Sequence, residues 1–320
     1  MRVLFMGTGD IALPTFRRLA ERDALVGLVT QPDRPVGKSS KPRPPRIKEE
    51  ARLLSIPVLQ PEDVRSREEI VAIEALNPEL IVVMAYGQIL TKALLVVPPL
   101  GCVNIHASLL PRHRGASCIQ AAIAAGDRES GISIIEMVER LDAGSVVLSK
   151  AIPLLAEETG GVLHDRLAVL APEVVEAYLE KLASDEIAGK PQNEELATYA
   201  PQLQRLDGQL NWEFSAEVLE RRIRAYEPWP GSYTNFKDGR GRSRRMKVFA
   251  GVEVTKGGRG AVPGEIVGVS DSGVTVACGE DALVLNELQL EGGKRLSVAE
   301  LMRGNTLEVG ECFFSLVSRS

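Results

Sequence analysis

Apolar residues gather in short runs at 2–6, 24–30, 57–60, 80–86 and 102–106, and the stretches between them at 11–21, 47–54 and 65–76 return an apolar residue every third or fourth position. Runs of that length read as buried strands and the intervening stretches as amphipathic helices. Strand and helix in alternation build right-handed βαβ units and a mostly parallel sheet. A further helix is expected at 117–125, closed by Gly126, followed by β-like runs at 132–137 and 145–152. Only a few residues separate these two runs, so they should pair antiparallel through a turn at 139–144. A long helical stretch at 162–182 closes this part of the chain.

Periodicity fades near residue 186. Gly189, Pro191 and Pro201 punctuate 187–206, which reads as a linker. Beyond it, seven of the fourteen aromatic residues crowd into 212–249, and β-like runs follow at 246–254, 262–269, 273–277 and 282–290. Short strands with Gly-rich turns predict a small OB-like β-barrel. The expected fold is α/β: a Rossmann-like, mostly parallel sheet domain at 1–186, a linker at 187–206, and an OB-like barrel domain at 207–315. No internal repeat is present.

At 320 residues, 44% hydrophobic and 25% charged, the chain can bury two cores, which excludes a disordered chain and a disulfide-held miniature domain. The four cysteines, at 102, 118, 278 and 312, form no CxxC pair and read as reduced thiols of a cytoplasmic protein. The apolar start of the chain is too short for a signal peptide, and no stretch is long enough to span a bilayer, so no membrane partner is expected. The three histidines and four cysteines show no ligand spacing, and no metal site is expected.

Net charge is −5, which taken alone argues against a nucleic-acid partner, but the charge is unevenly spread. Between 33 and 48, six cations (Arg34, Lys38, Lys41, Arg43, Arg46, Lys48) face one acid, giving +5. Between 221 and 247, nine cations face Glu227 and Asp238, giving +7 and leaving −17 on the rest of the chain. Two basic patches on an acidic body fit a localised polyanion site, and solvated charged faces are the plainer alternative. The five prolines of the 30–48 loop that carries the first patch, at 32, 35, 42, 44 and 45, oppose helix and central-strand pairing, so that loop is expected to extend until phosphates neutralise it.

Three places could carry chemistry. Gly7-Thr8-Gly9-Asp10-Ile11-Ala12 fits the GxGxxA turn that holds a pyrophosphate. However, Thr30 and Gln31 stand where an acidic ribose ligand would be needed, which favours a tight turn requiring small residues. Asn104 and His106 lie two apart in a strand and so share one face at the carboxyl end of the sheet. An amide donor beside an imidazole suits acyl transfer through a tetrahedral intermediate, and a histidine satisfied by backbone is the alternative. Asp142, in the turn 140–144, could orient that imidazole or accept a proton from an attacking amine, or could simply shape the turn.

With these residues in place the chain resembles the methionyl-tRNA formyltransferase family over nearly its whole length. VNIHASLLPRxRG stands at 103–115, LDxG at 141–144, TQPDRPxG at 30–37, VxAYGxIL at 83–90 and RAxxPWPGS at 224–232. The resemblance implies Asn104, His106 and Asp142 as catalytic residues. It places 10-formyltetrahydrofolate as cosubstrate against Ser108, Leu109, Leu110 and Pro111, with Tyr86, Gly87 and Ile89 lining the pterin slot. It implies a monomeric enzyme with initiator methionyl-tRNA as partner, held by Arg34, Lys38, Lys41, Arg43, Arg221, Arg244 and Arg245. In that scheme 1–186 is the catalytic domain and 207–315 the tRNA-binding one. The chain departs from the family pattern at His113, often Trp, at Ser117 and Cys118, commonly Ala-Pro, at Ala143 and Ser145, commonly Thr and Asp, and at Lys38, often Arg. Another formyl-folate enzyme, acting on a sugar or nucleotide amine or hydrolysing formyl-folate, would keep the same trio without needing the patches. A non-catalytic RNA-binding protein would use the patches and leave the trio idle.

Overall fold

A computed structural model describes residues 1–22, 24–35, 41–258, 260–304 and 307–315. The chain forms two compact units, one made of 1–118, 129–153 and 164–200, the other of 119–128, 154–163 and 201–320.

The first unit is built on a seven-stranded sheet. Its strands are β1 (Val3–Gly7), β2 (Leu25–Val29), β5 (Val58–Leu59), β6 (Leu80–Met84), β7 (Cys102–His106), β8 (Glu129–Glu136) and β9 (Val146–Pro153). A separate two-residue ladder joins β3 (Arg34–Pro35) to β4 (Pro42–Arg43). The order across the sheet is β5-β2-β1-β6-β7-β8-β9. The first five are parallel, and β8 and β9 each run antiparallel to the strand before. The all-apolar strands β1 and β6 are buried at every position, as expected of strands covered on both faces. Helices α1 (Leu13–Glu21), α2 (Arg46–Leu53), α3 (Arg67–Ala75) and the single turn α4 (Lys92–Leu95) occupy the crossovers. The Ser66 hydroxyl caps α3 by accepting from the Glu69 amide. α5 (Cys118–Ala125) and the long α6 (Gly160–Ala183) fall where the sequence places them.

The second unit packs two four-stranded antiparallel sheets around one core. β10 (Ser232–Lys237), β11 (Ser243–Val248), β16 (Glu287–Leu290) and β17 (Leu296–Ser297) form one sheet. β12 (Glu253–Thr255), β15 (Ala282–Leu285), β14 (Gly273–Ala277) and β13 (Ile266–Ser270) form the other. Two expected runs each divide between the sheets. The 246–254 run breaks after Val248, where Gly251 adopts φ +97°, and the 282–290 run passes from one sheet to the other at Asn286. The core takes Met246, Val248 and Leu288 from the first sheet and Ile266, Val276 and Leu283 from the second. It is completed by α7 (Ala216–Ala225) and α8 (Val298–Leu301). Helix α7 was not anticipated. Ser215 caps it at the Val218 amide, and Ala216, Leu219 and Ile223 form its buried stripe.

Gly144 closes the β8–β9 connection. A Cβ there would stand 1.7 Å from the Glu136 carbonyl oxygen, so the turn tolerates no side chain. We expect Gly144→Ala to lower stability by about 3 kcal/mol with an unchanged urea m-value, because backbone rather than a movable side chain must yield. Urea unfolding checks this, and a variant within about 0.5 kcal/mol of wild type would contradict the close approach.

Candidate active site

Strand parity sets the first two residues. Val103 and Ile105 of β7 are buried on one face, while Asn104 and His106 share the other. β8 lies antiparallel beside β7 with Val103 opposite Glu136, and the Met137 amide donates to the Cys102 carbonyl at 2.8 Å. The chain therefore leaves β8 at the amino end of β7, and residues 137–145 fold back across the Asn104 and His106 face. There Asp142 Oδ1 accepts from Asn104 Nδ2 at 3.3 Å, and Oδ2 lies 3.6 Å from His106 Nδ1.

The loop after β7 closes the other side. The Gly115 amide donates to Asp142 Oδ2 at 2.8 Å, and the His113 carbonyl lies 2.9 Å from His106 Nε2. A carbonyl only accepts, so Nε2 carries a proton. Asp142 and His113 sit at φ 49° and 59°, a region that costs a non-glycine residue and persists only where neighbours hold it. Burial opposes a charged imidazole here. The Cys118 sulfur, the Asp142 carboxylate and the His113 carbonyl outweigh it and hold the His106 titration up at about 9. At neutral pH the ring is then a cation, with Nε2–H on the His113 carbonyl and Nδ1–H facing the Asp142 carboxylate.

A third stretch, absent from the expected site, reaches the same residues. Gln192 Nε2 donates to the Asp142 and Gly144 carbonyls, both at 2.8 Å. Its Oε1 accepts from Nε and Nη2 of Arg114, at 3.1 and 2.9 Å. Arg114 is fully buried and also bonds both carboxylate oxygens of Glu194 and the Tyr199 hydroxyl. Arg114 and Arg140 together hold the Glu194 carboxyl down at about 2. Thr198 accepts from the His113 amide through Oγ1 at 2.8 Å and from the Arg114 amide through its carbonyl at 2.8 Å. Arg114 belongs to the 103–115 signature, whereas Gln192 and Thr198 left no periodic signal to find.

The residues expected to line a folate slot occupy the loops after β6 and β7. Ser108 is buried, donating to the Arg112 carbonyl, while Leu109, Leu110 and Pro111 are half-buried. Ser133 ties this loop to the sheet by donating to the Ser108 carbonyl at 2.7 Å and accepting from the Leu110 amide at 3.1 Å. After β6, Ala85 and Gly87 take positive φ and are exposed, Ile89 is 69% exposed, and Tyr86 turns inward to the core. The Gly7–Ala12 turn is not aimed at a pyrophosphate, because the Thr8 and Gly9 amides both bond the Ala85 carbonyl, at 3.2 and 3.3 Å.

The expected tRNA contacts divide between the units. In the first unit Arg34 and Arg43 lie opposite each other on the β3–β4 ladder with Lys41 beside it, and all three are exposed. Lys38 lies outside the described residues. Lys48 is spent internally, buried against Asp33 at 2.7 Å, a pair that joins the two ends of this loop. In the second unit Arg244 and Arg245 stand on opposite faces of β11. Arg244 is 4.0 Å from Asp238, and Arg245 is exposed over the Tyr233 ring at 4.3 Å. Arg221 donates to the Ala124 carbonyl at 3.4 Å and lies 3.9 Å from Glu217, while Arg224 forms a fork with Glu220.

All four cysteines are free, three of them buried and Cys312 exposed. Among the described residues no group of three or more His, Cys, Asp and Glu could hold a metal ion, and no helix is long and apolar enough to cross a membrane.

Comparison with known proteins shows the family. Residues 1–179 match the formyl transferase family and 202–306 its C-terminal domain. The methionyl-tRNA formyltransferase of Akkermansia muciniphila is 47% identical over 305 residues, spanning 95% of this chain and 97% of that one. That of Citrifermentans bemidjiense is 43% identical over 311 residues, spanning 97% and 95%. Among solved structures, HypX from Aquifex aeolicus in complex with tetrahydrofolic acid superposes with a TM-score of 0.60 at 18% identity, a likeness of fold. It spans 98% of this chain, which itself spans about half the length of HypX (51%). The chain belongs to the formyl transferase family.

Proposed function

We propose that the protein transfers the formyl group of 10-formyltetrahydrofolate to the α-amine of methionine carried by initiator tRNA, in the cytoplasm, with Asn104, His106 and Asp142 as its catalytic residues. The observation that carries this is their convergence on one face of β7, with a doubly protonated imidazole beside an amide donor and a carboxylate. The names of relatives that match over 95% or more of both chains support methionyl-tRNA as the formyl acceptor. When bound, the folate supplies an electrophilic formyl carbon on its N10.

The amine nitrogen attacks that carbon, and the carbonyl electrons move to oxygen. Asn104 donates its second Nδ2 hydrogen to the oxyanion as it forms, and His106 stabilises it through the positive charge of its ring. Asp142 orients His106 and takes the amine proton, which passes to N10 as the C–N10 bond breaks and the formamide forms. Ser108, Leu109, Leu110 and Pro111, with Gly87 and Ile89, would hold the pterin, whereas the Tyr86 ring is taken up by the core and could contribute only backbone. The half-buried apolar Leu109–Pro111 edge and the exposed Ile89 fit a flat, partly apolar ring. Arg34, Lys38, Lys41, Arg43, Arg221, Arg244 and Arg245 would meet RNA phosphates, making 207–315 the main RNA-binding part.

Purified protein should formylate methionyl-tRNA and leave free amines and amino sugars untouched; the reverse preference would replace this reading with that of another formyl-folate enzyme. Asn104→Ala and His106→Ala should each lower kcat about a hundredfold, the usual size for an oxyanion donor, with little change in tetrahydrofolate binding. A near-normal Asn104→Ala enzyme would remove Asn104 from the chemistry.

The raised titration of His106 sets a pH dependence. Its folded pKa of about 9 lies above the ordinary 6.5, so its contribution to stability is complete below 6.5 and is lost as pH rises through 9. Turnover should rise as the substrate amine deprotonates and fall as His106 loses its proton. Asp142→Asn should both slow the reaction and move that alkaline limb to lower pH. A pH–rate profile with an unmoved limb would detach Asp142 from His106.

Salt dependence tests the cations. Arg43→Ala and Arg245→Ala should each flatten the log–log slope of tRNA binding by about one, while Arg224→Ala, whose charge is already paired with Glu220, should leave it unchanged. Equal slopes in all three variants would leave the phosphate contacts elsewhere.

A further inference from the structure

We infer that Gln192, aimed by Arg114, is a positioning residue for Asp142, and that the 190–200 segment belongs to the active site. Its kinetic consequence rests on the formyl-transfer reading, and its structural consequence rests on hydrogen bonding alone.

The amide of Gln192 has one orientation. Arg114 has donors only, so the oxygen facing it must be Oε1, and the Nε2 hydrogens face the turn. Both hydrogens are used, on the carbonyls of Asp142 and Gly144, which flank the peptide links leaving Asp142. Asp142 is the residue whose φ of 49° departs from the ordinary regions, so its backbone needs outside support to stay in place. Its carboxylate must meet three donors at once, on Asn104, His106 and Gly115, and a small rotation of the turn would lose them.

Arg114 makes this support common to both halves of the site. Its neighbour His113 gives the carbonyl that bonds His106, and its neighbour Gly115 gives the amide that bonds Asp142. The strap runs beside this loop, with Arg114 bridged to Tyr199 and the Arg114 carbonyl accepting from the Ala200 amide at 2.7 Å. At its start, Lys190 and Val146 exchange two backbone hydrogen bonds of 2.9 Å, fixing it to β9 just after the turn. One buried guanidinium therefore sets a glutamine that sets the catalytic turn, and the same strap holds the loop opposite.

The test uses full-length protein. Gln192→Leu removes both donors and keeps bulk, and Gln192→Glu keeps the shape and the Arg114 contact but sets a carboxylate oxygen against two carbonyls. We expect kcat for formylation of methionyl-tRNA to fall by about tenfold to a hundredfold in either variant, the size of effect that misplacing a reacting group produces. KM for the tRNA should stay within about twofold. The His106 imidazole, one of only three in the chain, should titrate lower by NMR than in wild type, because the carboxylate beside it has moved. Unchanged kcat and unchanged His106 titration would overturn the inference. So would a fall in kcat accompanied by matching losses in tetrahydrofolate affinity and unfolding midpoint with His106 unmoved, the signature of general loosening. If Gln192→Leu does not fold, the near-isosteric Gln192→Glu decides. If wild type fails to formylate methionyl-tRNA, the activity reading falls while the NMR titration still decides whether Gln192 positions Asp142.

Discussion

The Asp142 carboxylate is the contact on which the site depends. It sits almost out of solvent, 9% exposed at the side chain, against an imidazole that is 6% exposed. A buried charge is costly unless it is paired and hydrogen-bonded, and the Asp142 carboxylate is one of the groups that let the buried imidazole hold its proton. Breaking such a pair by removing one partner typically costs about 3–5 kcal/mol, because a buried charge is then left uncompensated. The carboxylate is also satisfied by neutral donors, the Gly115 amide and the Asn104 side chain. The strand β7 and the loop that follows it are thereby tied through two oxygen atoms to a turn some thirty residues on, and the three share one geometry.

The same accounting changes the meaning of the charge clusters. Counting cations in a window treats each as available, yet Lys48 is neutralised by Asp33 at the other end of its own loop. Glu217 and Glu220 fall just outside the 221–247 window and pair with Arg221 and Arg224 inside it. Arg242 is held by Asp238, and Arg222 lies over the Phe214 ring at 4.3 Å. The more exposed of these pairs, Arg221–Glu217 and Arg242–Asp238, contribute about 0–1 kcal/mol each, and all of them lower the local positive potential available to a polyanion. The cations that project into solvent from the β3–β4 ladder and from the outer face of β11 are fewer than the counts suggest, and on the ladder Arg34 lies 3.8 Å from Glu62.

Much of this was legible in the residues themselves. Period-two parity put Asn104 and His106 on one face, and a short connection put Asp142 in a turn. The parallel strands were found because strands buried on both faces are nearly all apolar. Helix α7 carries its signals, a Ser215 cap and apolar residues at 216, 219 and 223, but the three arginines on its other face make the same stretch read as a charge run. The break at Asn286 had none, since a strand can pass between sheets without a glycine or proline to mark it. Gln192 could not have been read from pattern, because a side chain that bonds backbone carbonyls fifty positions away leaves no period behind.

The antiparallel turn taken at β8 explains how so much can converge on β7. Had β8 run parallel, the loop after it would have emerged at the carboxyl edge, beside the loops that follow β6 and β7. Instead Glu136 ends β8 level with Val103, and the chain must come back across the strand to reach Asn104 and His106. The carboxylate thus arrives from the amino end, leaving the carboxyl edge to the 85–89 and 107–111 segments. The β1 turn stays out of the way for a related reason, since its Thr8 and Gly9 amides are already committed to Ala85. A fold whose first turn looks ready for a phosphate therefore gathers its buried charges two strands over, where an antiparallel neighbour lets a carboxylate reach back across the strand while the carboxyl edge stays clear of that turn.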